Sequence, residues 1–175
     1  MAHSIEMLLD DSGDAAIRSA WQALADAGLP SQARVGAATN RPHITLLAAA
    51  GIGAGADDPL RGLAARLPFA GVLGAPLVFG GPRHTLARLV VPSAQLLELH
   101  AEVYRLALGQ VTGEVFAHCR PGCWTPHATL GRRLAGTDVG AALACLGEAV
   151  ADLQIQITGL RRWDGDRRVE HLLVS

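Results

Sequence analysis

The chain has no lysine: all 15 of its basic residues are arginine. That excludes a lysine Schiff base and a P-loop lysine, so any anion must be held by arginine, histidine, hydroxyl or backbone N–H groups. Aromatic residues make up only 4% of the 175 residues, while half of the chain is hydrophobic. A core must therefore be built mainly from Leu, Val, Ile and Ala. Cysteine is scarce, with Cys119, Cys123 and Cys145 an odd set, and residues 1–10 carry neither a basic lead nor a long apolar stretch. The expected compartment is the reducing cytoplasm. No apolar run approaches the length needed to span a bilayer. The formal charge of −1 gives no global pull toward nucleic acid or a membrane surface. Linker-like and low-complexity segments are missing too. This length suits one compact domain, residues 1–175, or two intimately packed halves.

What is present reads as alternating strands and helices. A strand is expected over 4–9. A helix follows, capped near Ser12 and running over 15–27 with Ile17, Trp21 and Leu24 at helical spacing, stopped by Gly28 and Pro30. Residues 34–49 contain a strand, 51–56 a loop and 57–67 a helix. A glycine-broken strand over 69–80 turns at Gly81 and Pro82 into a strand over 85–91. The helix over 94–108 shows Leu96, Leu97, Leu99, Val103, Leu106 and Leu108 as its apolar positions. Residues 113–122 look irregular, 125–133 a strand and 139–150 an Ala-rich helix. Two final strands, 152–163 and 167–174, flank the hairpin signal Asp164, Gly165, Asp166.

Within this pattern one block occurs twice. Arg41-Pro42-His43-Ile44-Thr45-Leu46-Leu47 is echoed by Thr125-Pro126-His127-Ala128-Thr129-Leu130-Gly131, 84 residues later. That offset is close to half the chain, which predicts two similar α+β lobes, each offering one strand to a shared cleft. Strand periodicity puts His43 and Thr45 on one face, and His127 and Thr129 likewise. Ile44, Leu46, Ala128 and Leu130 should face the apolar layer behind. Pro42 and Pro126 keep the preceding residue extended and suit a strand start.

Two such segments brought together present two imidazoles and two hydroxyls. Histidine titrates near ~6.5, so one ring can act as base and the other as acid at neutral pH. In-line displacement at a phosphodiester or cyclic phosphate needs that pair: one ring takes a proton from the attacking oxygen and the other protonates the leaving oxygen. The threonine hydroxyls can donate to non-bridging phosphate oxygens. Arg132, five residues after His127, could neutralise charge developing on phosphorus; Arg41 is a weaker candidate for the same task. The scheme calls for no metal and no cofactor.

The paired motifs Pro42-His43-Ile44-Thr45-Leu46 and Pro126-His127-Ala128-Thr129-Leu130 resemble the signature of the 2H phosphoesterase superfamily, and among its members the bacterial 2′-5′ RNA ligase-like or RNA 2′,3′-cyclic phosphodiesterase proteins. The resemblance covers nearly the whole chain. It implies a bilobal, pseudo-two-fold α+β fold, with two antiparallel-rich sheets flanked by helices around a central cleft. It also implies His43 and His127 as general acid and base, Thr45, Thr129 and Arg132 as phosphate ligands, and metal- and ATP-independent chemistry. The reaction implied is hydrolysis of a nucleoside or RNA 2′,3′-cyclic phosphate to a 2′-phosphate, or reversible 2′-5′ joining. A nucleotide or RNA is the expected partner; neither a membrane nor an obligate protein partner is evident. The Arg pairs 132–133, 161–162 and 167–168 are scattered, which weighs against a long RNA substrate and leaves small nucleotides open.

Other readings are weaker. His118, Cys119, Cys123 and His127 invite a zinc site, but the cysteine spacing is not that of a zinc knuckle and no second pair follows. A cysteine nucleophile paired with His127 would leave the first motif unexplained. Trp124, beside the second motif, could stack on a nucleobase or pack as a cleft wall. His84, His100 and His171 lack a threonine partner and read as surface or structural, and His3 near the terminus is uninformative. A nucleotide- or RNA-binding module without turnover is the alternative of a different class.

Overall fold

The computed structural model describes residues 2–175. Among these residues the strands are β1 (His3–Leu9), β2 (Ile44–Ile52), β3 (Phe69–Phe79), β4 (His84–Val90), β5 (Val111–Val115), β6 (His127–Leu134), β7 (Leu153–Asp164) and β8 (Val169–Val174). The α-helices are α1 (Asp11–Asp26), α2 (Asp57–Arg61), α3 (Ala94–Ala107) and α4 (Val139–Leu146). All pairings are antiparallel, in the order β1-β2-β6-β4-β3-β7-β8. β5 lies on β2, and β1 also pairs with β7.

The strands form one eight-stranded sheet rather than two separate ones; its ladder closes on itself because β7 and the Ile44–Ala128 pair join two halves. One half holds β5, β2, β1, β8 and residues 157–164 of β7; the other holds β6, β4, β3 and residues 153–157 of β7. The halves share β7 on one side. On the other they meet through a single residue pair, Ile44 on β2 with Ala128 on β6.

Each half sends its helix across to the other. α1 follows β1 yet packs on β6 and α4, and α3 follows β4 yet packs on β2. The buried stripe of α1 is Gly13, Ile17, Ala20, Trp21 and Leu24, at the three- and four-residue spacing of one helix face. Its cap is Asp10, not Ser12: the Asp10 carboxylate accepts from the Gly13 N–H at 3.0 Å, and Ser12, inside the first turn, donates to Asp10 at 2.9 Å. A carboxylate suits that end of a helix because it also meets the positive pole. At the other end Gly28 takes a left-handed φ of 74°, which lets the Leu29 N–H reach the Leu24 carbonyl at 2.9 Å.

The α3 stripe is Leu96, Leu99, His100, Val103 and Ala107. Leu97 and Leu108 are exposed, so the expected apolar set was too broad; His100 takes a core position instead. Two helices are shorter than expected. After α2 the chain tightens into a 3-10 turn at Gly62–Arg66, and α4 ends at Gly147, whose φ is 46°. Residues 111–115 form an edge strand, so 113–115, expected to be irregular, are paired, and the last hairpin turns through four residues, 165–168.

One continuous apolar cluster takes residues from both halves: Ile5, Met7, Ile44, Leu46, Leu86, Val90, Leu130, Ile157 and Leu160 are among its buried members. Each such side chain contributes about 1.5–3 kcal/mol by leaving water. Buried charges are paired or saturated. The Arg162 guanidinium grips Asp57 through two hydrogen bonds of 2.6 and 2.9 Å. Arg88, 1% exposed, donates to the carbonyls of Leu73, Gly74, Ala149 and Ala151. No helix is long and apolar enough to cross a membrane among the described residues.

Candidate active site

The Ile44–Ala128 pair is the centre of the repeated motif, so the two His-x-Thr segments lie side by side where the halves meet. Burial follows the expected alternation in both. Pro42, Ile44, Leu46, Pro126, Ala128 and Leu130 are buried, whereas His43, Thr45, His127 and Thr129 are half-buried. The apolar residues anchor each segment to the core and leave the polar ones at one open face.

The two imidazoles are held alike. His43 Nδ1 lies 2.7 Å from the Arg41 carbonyl, and His127 Nδ1 lies 2.7 Å from the Thr125 carbonyl. A carbonyl only accepts, so Nδ1 carries the hydrogen and Nε2 is the nitrogen left to exchange a proton. In each case the acceptor belongs to the residue before the proline, a position that proline biases toward extended backbone. Arg161 Nη2 lies 3.5 Å from His43 Nδ1; with both atoms acting as donors, this is a packing contact.

Both motifs contain a bulge at the leucine. Opposite β1, Thr45 pairs with Glu6 and Leu47 with Ile5, so Leu46 is the extra residue. Opposite β4, Thr129 pairs with Ala87 and Gly131 with Leu86, so Leu130 is the extra one. This bulge places Arg132. Five residues after His127, a regular strand would turn Arg132 to the opposite face. The bulge resets the alternation: Arg132 pairs with Thr85, which shares its face of β4 with Ala87 and Leu89, the partners of Thr129 and His127. A second shift follows at Arg133, whose φ is 65°. Arg132 is exposed and has no ion-pair partner among the described residues.

Beyond the motifs the halves differ in charge. In the first, the row across the sheet runs Thr45, Glu6, Arg161; in the second it runs Thr129, Ala87, Leu77. Glu6 and Arg161 are 4% and 3% exposed. Arg161 Nε and Nη2 meet the Glu6 carboxylate at 2.7 and 2.6 Å, and Nη1 reaches Glu170 at 2.6 Å and the Thr39 carbonyl at 3.0 Å. Ser4 donates to Glu6 at 2.5 Å. Glu6 Oε1 also lies 3.6 Å from His43 Nε2. Burial alone would raise the Glu6 carboxyl; the charges of His43 and Arg161, with the Ser4 and Arg161 hydrogen bonds, bring it below its ordinary value instead.

His127 has the opposite setting. Burial pushes its proton affinity below the ordinary imidazole value. The Thr125 carbonyl opposes that shift, and the charges of Arg132, His118 and His43 reinforce it. The Phe79 ring lies 4.6 Å from the His127 ring, tilted by 53°. Sequence reasoning missed Glu6, Arg161 and Phe79. A lone Glu in a mostly apolar strand was the available signal for the first; no local signal marked the others.

The Trp124 indole stacks on His100 at 4.0 Å, nearly parallel, and its N–H donates to the Thr45 carbonyl at 2.8 Å. One ring face and the polar edge are thus committed within the protein. Among the other histidines, His100 is buried with Nε2 2.9 Å from the Cys119 carbonyl, and His3 meets Asp166 at 3.2 Å. Cys119 is buried, whereas Cys123 and Cys145 are exposed; all three are free thiols. No group of three or more His, Cys, Asp or Glu side chains able to hold a metal ion occurs among the described residues.

Comparison with known proteins gives the same picture of the fold. No curated protein sequence matches the chain. Among solved structures, Escherichia coli LigT in its apo form is similar with a TM-score of 0.58 and 17% identity, over 99% of this chain and 94% of that one. TT0787 of Thermus thermophilus gives 0.55 and 20%, over 99% and 95%. Kluyveromyces marxianus Usb1 gives 0.55 and 12%, over 99% and 98%; it is also known with uridine monophosphate, and LigT with 3′-AMP. A family model described as the 2′-5′ RNA ligase superfamily matches residues 10–168. The chain belongs to the 2′-5′ RNA ligase superfamily, a family of phosphoesterase- and ligase-like enzymes.

Proposed function

We propose that the protein is a metal-independent phosphodiesterase that opens nucleoside or RNA 2′,3′-cyclic phosphates to 2′-phosphates; a 5′-hydroxyl attacking in place of water, with the same loss of O3′, would form a 2′-5′ linkage, and the reverse of that step would break one. The observation that carries this reading is the Ile44–Ala128 junction, with a tethered imidazole and a threonine from each motif beside it. The mononucleotide complexes of the similar structures support a nucleotide as ligand. On this reading residues 1–175 work as one domain of two intertwined lobes, in a reducing cytoplasm where the three thiols stay free.

The different settings of the two rings support a division of labour. His127, with its lowered proton affinity and no carboxylate partner among the described residues, takes a proton from water through Nε2. The water oxygen bonds to phosphorus as the bond from phosphorus to O3′ breaks. His43, whose charged form has the Glu6 carboxylate as counter-ion, gives its Nε2 proton to O3′. Water is consumed, a 2′-phosphate and a 3′-hydroxyl result, and the two rings exchange their proton through solvent before the next turnover. The Thr45 and Thr129 hydroxyls and the Arg132 guanidinium hold the non-bridging oxygens as negative charge grows on them.

The test is incubation with each nucleoside 2′,3′-cyclic phosphate in excess EDTA, with the product followed by phosphorus NMR. A 2′-phosphate formed at the same rate with and without chelator is expected. Loss of turnover on chelation would contradict the mechanism, and binding without turnover would leave a nucleotide-binding module.

A further inference from the structure

We infer that Trp21 and Trp124 are a pair of positioning residues that fix the two catalytic strands against each other through the carbonyls of the motif threonines. The inference rests on the function proposed above. Trp21 Nε1 donates to the Thr129 carbonyl, and Trp124 Nε1 donates to the Thr45 carbonyl, both at 2.8 Å.

The two bonds share an acceptor position and have unrelated donors. Trp124 lies three residues before His127; the residue three before His43 is Asn40. Trp21 sits in α1, which has no part in the repeated block. Inheritance from a duplicated motif therefore does not account for the match. The two halves arrive at the same bond by different routes.

Both acceptors stand next to a bulge. Leu46 and Leu130 are each the unpaired extra residue, and each follows the threonine whose carbonyl the indole holds. A bulge disrupts the ladder locally, so an external donor fixes backbone that the sheet alone holds less firmly. His43 and His127 lie two residues upstream, on the same short segments.

Each bond also crosses between the halves. Trp124 leads into β6 but holds β2, and Trp21, on the helix that follows β1, holds β6. This matters because β2 and β6 share only the Ile44–Ala128 pair. A single bridge is a slender hinge for two imidazoles that must meet one phosphorus centre. The indoles brace it from both sides and are themselves seated: Trp21 is 4% exposed, and Trp124 rests on His100, whose Nε2 is hydrogen-bonded to the Cys119 carbonyl.

The test uses Trp21→Phe and Trp124→Phe, which keep an aromatic ring and remove the N–H. A 1 Å misplacement of catalytic groups costs about 100-fold, so each variant should lose about 10- to 100-fold in kcat on a 2′,3′-cyclic nucleotide. KM should change less than about 3-fold, because the groups that contact the nucleotide remain. Ile17→Val, one turn from Trp21 on the same buried stripe and with no hydrogen bond to either carbonyl, is the control for lost stability alone. Amide exchange provides a readout that needs no activity: protection around Ile44 and Ala128 should fall in both variants while that of β4 and β7 is retained. Wild-type kcat and wild-type exchange in the folded Phe variants would overturn the inference. If a Phe variant fails to fold, the wild-type indole protons decide: slow exchange at Trp21 and Trp124 relative to Trp163 supports the brace, and equal exchange at all three overturns it. Failure of the proposed function is distinguishable, since then wild-type protein would not turn over the nucleotide while the exchange result would stand.

Discussion

Gly131→Ala tests whether the strand carrying His127 is held as closely as its contacts imply. Gly131 lies two residues after Thr129, and a Cβ built there would sit 2.3 Å from the Pro30 carbonyl oxygen, 3.2 Å from its carbon and 3.3 Å from Leu134 Cδ1. Ordinary contact begins at 3.4 Å, so β6 and the Pro30 backbone must separate by about 1 Å. No side-chain rotation relieves a clash with backbone. The Pro30 turn is tied down on both sides, by Ser31 donating to the Trp21 carbonyl at 2.5 Å and by Leu29 donating to the Leu24 carbonyl at 2.9 Å. The strand must therefore give. Overpacking of this kind costs about 1–3 kcal/mol, read as a lower urea midpoint at unchanged m-value. Displacing the strand should also lower kcat by about 10- to 100-fold. Gly140→Ala, at an exposed position of α4 with nothing within 4 Å of the new Cβ, is the matched control and should gain about 0.5–1 kcal/mol with kcat unchanged. A Gly131→Ala protein within about 0.5 kcal/mol of wild type and equally active would refute the reasoning.

The pH–rate profile should be bell-shaped. Its rising limb reports His127 losing its proton and should be centred below the ordinary imidazole value of 6.5, the direction in which burial and the Arg132 charge push it. Arg132→Ala removes a cation that disfavours the imidazolium, so the limb should move to higher pH while kcat falls; an unmoved limb would mean that Arg132 does not act on His127. Arg88→Leu should cost at least about 3 kcal/mol in urea unfolding, because four backbone carbonyls lose their donor; a near-neutral change would show that water replaces the guanidinium there.

Much of the site was legible because the motif chemistry is local. His43, Thr45, His127 and Thr129 share a face through the two-residue period of a strand, which needs no knowledge of the partner strand. The α1 stripe of Ile17, Trp21 and Leu24 was readable for the same reason. What escaped prediction depends on register. Glu6 meets Arg161 across 155 residues of sequence, and only the β1–β7 pairing brings them together. The bulges at Leu46 and Leu130 appear only when two strands are aligned, and with them the placement of Arg132. β5 was missed because an edge strand with three exposed residues in succession has no alternation to read. The Asp10 cap was displaced to Ser12 because both residue types cap helices well, and the choice depends on where β1 ends.

The most direct test of the account is turnover of a 2′,3′-cyclic nucleotide by His43→Ala, His127→Ala and the double variant, each shown to be folded. If the two rings act on one phosphorus as a unit, each single variant loses about 10²–10⁴-fold in kcat, and the double falls little below the worse single. Wild-type turnover by either folded single variant would contradict it.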